Sequence, residues 1–73
     1  MKTISEPALI ARIKRKLAHE GETLRVSRSA NGYDGHRYGV IDRDRNFITG
    51  GTSDIEEYGR ELGVLRPGER LAQ

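Results

Sequence analysis

His36-Arg37-Tyr38-Gly39-Val40-Ile41-Asp42-Arg43-Asp44-Arg45-Asn46-Phe47-Ile48-Thr49 decides how this chain folds. Two runs rich in β-branched and aromatic residues, 36–42 and 47–49, flank a segment too polar for a core, and Asp and Asn within it favour a turn. The stretch reads as a hairpin: a strand from His36 to Asp42, a turn over 42–46, and a short strand Phe47-Ile48-Thr49. Asp42, Asp44 and Asn46 alternate like the opening of a calcium loop. That loop needs Gly at its sixth position and a bidentate Glu at its twelfth, where Phe47 and Ser53 stand, so a solvated turn is the better reading and no metal is expected.

Upstream, residues 22–29 keep a period of two, with Leu24 and Val26 on one face and Thr23, Arg25 and Ser27 on the other, which makes a strand. The Gly- and Asn-rich residues 30–35 connect it to the hairpin as a loop. Before it, Ser5 is placed to cap a helix, Glu6 suits the positive helix end, and Pro7 tolerates a first turn. Leu9, Ile10, Ile13 and Leu17 form one apolar stripe, Arg12, Lys14, Arg15, Lys16 and His19 take the rest of the circumference, and Gly21 ends the helix.

Downstream, Gly50-Gly51 closes the third strand, and Ser53 with Glu56 makes a capping box for a second helix carrying Ile55, Tyr58 and Leu62. Gly63 caps it, Val64 and Leu65 fold back on its last turn, and Pro67-Gly68 stops it from resuming. The expected fold is α+β in the order α-β-β-β-α, a three-stranded antiparallel sheet with two helices on one face. Residues 1–73 form a single domain with an ordered core over about 5–66 and a frayed tail.

The composition narrows function more by exclusion than by indication. Among 73 residues, 34% are apolar and 33% charged, and there is no cysteine, which removes disulfides, thiolate nucleophiles and cysteine-based zinc sites. A chain of this size has a thin core and little left over for a deep pocket. No apolar run is long enough for a signal peptide or a membrane helix, so a cytoplasmic location is expected. The net charge of +2 is unevenly placed: residues 1–45 hold ten Lys or Arg against six Asp or Glu, and residues 46–73 hold three against five.

His19 and His36 are the only imidazoles, and neither has a carboxylate at ligand or dyad spacing. We therefore expect no enzyme, no catalytic residues and no cofactor. Gly50-Gly51-Thr52-Ser53 precedes a helix start but lacks a Walker lysine and the dinucleotide glycine spacing, so it reads as a strand-to-helix turn. The expectation is a non-catalytic interaction module that binds a protein partner or itself through the open sheet face, with Arg25, Arg37, Ile41 and Phe47 as contacts. The alternative is a nucleic-acid binder using Arg12, Arg15, Lys16 and Arg25, which requires a positive surface that joins the first helix to the sheet.

The element order is similar to that of double-stranded RNA-binding domains, which run α-β-β-β-α at about this length. Those domains start their second helix with lysines, whereas this chain has Ser53-Asp54-Ile55-Glu56-Glu57, which repels phosphate. The basic helix after Pro7, Arg37-Tyr38-Gly39-Val40-Ile41-Asp42 and Glu61-Leu62-Gly63-Val64-Leu65-Arg66-Pro67 resemble segments of short uncharacterised bacterial proteins associated with plasmids and integrative elements. Gly68 departs from that pattern, which would place a large aromatic there. The resemblance implies a bacterial accessory protein and no particular functional residues.

Overall fold

In the computed structural model, which describes residues 2–27, 32 and 35–72, seven elements follow one another. They are β1 (Lys2–Ile4), α1 (Glu6–Ala18), β2 (Glu22–Val26), β3 (Tyr38–Asp42), β4 (Phe47–Thr52), α2 (Ile55–Glu61) and β5 (Glu69–Leu71). The hairpin read from residues 36–49 is the centre of the molecule: β2, β3 and β4 form an antiparallel sheet in that order. Its turn is closed by Asp42, whose Oδ1 accepts the N–H groups of Asp44 and Arg45 at 2.9 and 3.0 Å. Asn46 donates to the Asp42 carbonyl at 2.8 Å and sits at φ 56°, a conformation asparagine tolerates well. Most of the loop expected over 30–35 lies outside the described residues.

The third strand does not stop at Thr49. β4 runs on to Thr52, pairing Gly50 with Val40, Gly51 with Gly39 and Thr52 with Tyr38, so the two glycines belong to the strand. Close approach explains Gly51: a Cβ there would lie 2.9 Å from the Tyr38 carbonyl oxygen and 3.1 Å from the His36 ring. A register shift between Val40 and Ile41 leaves Thr49 as an extra residue, and its hydroxyl bonds Glu22 at 2.6 Å.

The chain ends also depart from the expectation. Instead of fraying, Glu69–Leu71 pairs in parallel with Lys2–Ile4, matching Lys2 to Glu69 and Ile4 to Leu71. The hydrogen bonds Lys2 N–H to Gly68 O (3.1 Å) and Ala72 N–H to Ile4 O (2.7 Å) bracket the ladder. A three-residue strand gives no readable period, so only its tertiary partner reveals it.

Ser5 caps α1 as its sequence implies, accepting from Ala8 N–H at 3.3 Å. At α2 the cap is Asp54 rather than Ser53: the Asp54 side chain accepts from Glu57 N–H at 3.1 Å while its backbone remains extended. The expected capping box fails because Glu56 turns away and accepts the Leu71 N–H of β5 at 2.7 Å.

Leu24 and Val40 are paired across β2 and β3, and together with Tyr38 they meet Leu9, Ile13 and Leu17 of α1 and Ile55 of α2 in one buried cluster. Both helices thus cover the same face of the sheet. Gly59 lies where α1 crosses α2; a Cβ there would come within 3.0 Å of Leu9 Cδ1.

Tyr38 is buried and donates its hydroxyl to Glu6 Oε1 at 2.9 Å. Burial, and then this carboxylate, push its phenol above the ordinary value of 10.0. A phenol whose folded pKa is raised contributes stability that is fully present below about pH 10 and is lost as pH rises through the folded value. Tyr38→Phe is expected to lower stability by about 0.5–1.5 kcal/mol at neutral pH. It should also flatten the loss above pH 10, as read by urea titrations at several alkaline pH values.

Candidate cationic groove

The residues Arg12, Arg15, Lys16 and His19 recur at three- and four-residue steps and so occupy one side of α1. The fold brings the segment that follows α2 alongside this row. Leu62 is the C-cap that follows α2, and Gly63 at φ 75° takes the left-handed conformation that turns the chain back. Val64 and Arg66 are thereby carried next to α1. Together Arg12, Arg15, Lys16, His19, Gly63, Val64 and Arg66 line an open groove of about 460 Å³.

Its side chains are held to different degrees. Arg12 is the fixed member: its Nη1 donates to Glu69 Oε1 at 3.0 Å and to the Val64 carbonyl at 3.2 Å, tying α1 to the groove's opposite wall. Glu69 is buried and also accepts the Arg66 N–H at 2.8 Å, while its own carbonyl accepts from Arg60 at 3.0 Å. The Arg66 N–H and then the Arg12 guanidinium hold the Glu69 carboxyl below its ordinary value of 4.5. Arg15, Lys16, His19 and Arg66 are exposed, and among the described residues the only ion pairs join Arg12 to Glu69 and Arg60 to Glu56. The lining carries no carboxylate; Glu69 offsets the charge of Arg12, while Arg15, Lys16 and Arg66 have no ion-pair partner among the described residues.

A carboxylate with a depressed folded pKa contributes stability that is present above the ordinary value of 4.5 and lost as pH falls through the folded value. Glu69→Gln is therefore expected to lower stability at neutral pH and to narrow the gap between wild type and variant on acidification. Chemical denaturation across roughly pH 2–7 reads both effects.

The residues expected on the open sheet face do not assemble as one patch. Arg25 is exposed opposite Gly39, and Ile41 shares its face by alternation but is only 7% exposed and lies outside the main cluster. Phe47 is 47% exposed but pairs with Asp42, while Ile48 pairs with Ile41. Alternation therefore puts Phe47 on the other face, and Ile48 takes the place expected for it. Arg37 precedes β3, with its guanidinium 5.8 Å from the centroid of the Tyr38 ring.

Of the nucleic-acid set, Arg12, Arg15 and Lys16 come together, whereas Arg25 sits on the sheet face away from α1. His19 and Arg66 complete the groove and were missed from sequence. The spacing 12, 15, 16, 19 already carried the signal for His19; nothing local carried it for Arg66. His36 lies against Gly51, apart from the groove. No helix of the described residues is long and apolar enough to cross a membrane.

Fold and groove together define a small α+β chain with one groove whose lining holds basic but no acidic side chains. No family model, curated protein or solved structure matches the chain.

Proposed function

We propose that this chain is a non-catalytic polyanion-binding module that holds the phosphate backbone of a nucleic acid in the groove between α1 and the segment after α2. The observation that carries this reading is the lining itself, in which Arg12, Arg15, Lys16, His19 and Arg66 converge with no acidic side chain among them. Cations in a row displace condensed counterions from a phosphate backbone and so gain affinity without reading base sequence. Arg12 acts as the fixed floor, because Glu69 and the Val64 carbonyl hold its guanidinium. Arg15, Lys16, His19 and Arg66 reach the ligand.

The mode differs from that of double-stranded RNA-binding domains, because α2 opens with Glu56 and Glu57. Here the first helix does the work. Protein binding through Arg25, Arg37, Ile41 and Phe47 is the weaker reading, since these residues do not share one exposed apolar surface.

The test is titration of a labelled mixed-sequence duplex DNA, and of an RNA, at low and moderate salt while amide shifts are followed. Shifts centred on Arg15, Lys16, His19 and Arg66, with log affinity falling linearly with log salt, support the reading. An absence of binding at the lowest salt overturns it.

A further inference from the structure

Among the described residues, four of the five basic side chains that line the cationic groove are arginine or lysine, and the fifth is His19. Arginine and lysine keep their charge across the physiological range, whereas histidine ordinarily changes its charge between pH 5 and 8. His19 is the C-cap of α1, and turn-type bonds fix its backbone. Its N–H and those of Glu20 and Gly21 donate back to the carbonyls of Lys16, Leu17 and Ala18 at 2.9–3.3 Å. The side chain is exposed and has no ion-pair partner among the described residues.

Its charged surroundings come from several elements. Arg12, Arg15 and Lys16 precede it on α1, and Arg66 faces them from the segment after α2. Glu20 and Glu22 follow it in the chain, Asp42 pairs with Glu22, and Arg43 donates its N–H to the Gly21 carbonyl at 2.9 Å. Burial, and then Glu22, Glu20 and Glu61, raise the Tyr58 phenol above its ordinary value of 10.0, which places these acids toward α2. None of them lines the groove. A phosphodiester keeps its single negative charge between pH 5 and 8. In the groove it meets a neutral imidazole on the alkaline side of this range, and on the acid side a further cation whose two ring nitrogens both donate. A ligand that binds one protonation state more tightly draws the protein toward that state.

We propose that phosphate binding in the groove is proton-linked through His19: the ring takes up a proton from solvent as the ligand binds, so affinity rises as pH falls from about 8 to about 5.5. This inference rests on the reading of the groove as a phosphate-backbone site. The arginines and Lys16 supply the attraction present at every pH in this range, and His19 supplies the increment that pH regulates.

Anisotropy titrations of the full chain with a labelled mixed-sequence DNA duplex, at matched ionic strength and at about pH 8 and about pH 5.5, test it. Wild type is expected to bind about five- to tenfold tighter at the lower pH in low salt, with a salt slope steeper by about 0.9. His19→Gln should bind at both pH values as wild type does at the higher one. His19→Lys fixes the charge and should bind at both as wild type does at the lower one. His36 is the other of the two imidazoles and lies against Gly51, apart from the groove, so His36→Gln should keep the wild-type response. Binding of equal strength at both pH values, or a pH response that persists in His19→Gln, overturns the proton linkage and leaves the groove as the site. An absence of binding at both pH values overturns the groove reading and the linkage with it.

Discussion

Truncating Leu9 to alanine is expected to destabilise the domain by about 2–5 kcal/mol. Leu9 is fully buried in the cluster that joins α1, the sheet and α2, and it belongs to both interfaces of α1. A domain of 73 residues, at roughly 0.05–0.15 kcal/mol per residue, has total stability of the same order, so the variant should be partly unfolded at 25 °C. Leu9 also has an unusual neighbour in Gly59, which interrupts α2 at a cost of about 1 kcal/mol relative to alanine in helix propensity.

Glycine is kept there because a Cβ would come within 3.0 Å of Leu9 Cδ1. Gly59→Ala should therefore gain propensity and lose fit in the wild type, but gain propensity without that penalty once Leu9 is shortened. A double-mutant cycle in urea is expected to show Gly59→Ala partly rescuing Leu9→Ala, with a coupling of about 0.5–3 kcal/mol. Additive effects, or a Leu9→Ala cost under about 1 kcal/mol, would mean that the α1–α2 contact is not packed as described.

Reversing Arg15 and Lys16 together to glutamate is expected to weaken binding to duplex DNA at low salt on the order of 100-fold or more and to reduce the salt slope by about two. Both side chains are exposed and have no carboxylate partner among the described residues, so the fold should be kept. Arg12→Gln is expected to behave differently. It removes the links to Glu69 and the Val64 carbonyl, so lost stability should accompany the lost affinity. Arg25→Glu, on the far face of the sheet, should change the affinity little. Equal losses at Arg15, Lys16 and Arg25 would point to diffuse attraction by net charge and remove the groove as the site. Anisotropy titrations at matched salt concentrations read each of these outcomes.

How much of this was legible in advance follows from the range of the interactions involved. The hairpin over residues 36–49 was readable because both strands and their turn are local, and Asp42 closes the turn with bonds to residues two and three positions away. Helix α1 was readable from Ser5 to Ala18 for the same reason, since its cap and its buried stripe of Leu9, Ile13 and Leu17 lie within a few turns. The capping box at Ser53 misled because its Glu56 serves β5 instead, a partner fifteen residues away. The glycines of β4 misled because their reason, the Tyr38 carbonyl and the His36 ring above Gly51, belongs to another strand.

The sequence by itself determined the fold class, the three central strands, both helices and the presence of a cationic side on α1, all of which depend on local period and capping. Only the tertiary structure decided three further things. It closed β1 against β5. It carried β4 past a one-residue bulge at Thr49 and on through Gly50, Gly51 and Thr52 against Val40, Gly39 and Tyr38. It set Arg66 beside Arg15, Lys16 and His19 through the left-handed turn at Gly63 and the Glu69 anchor. The physical reason is common to all three. Each depends on a hydrogen bond or a register between residues far apart in the chain, and such pairings leave no periodic trace in either partner.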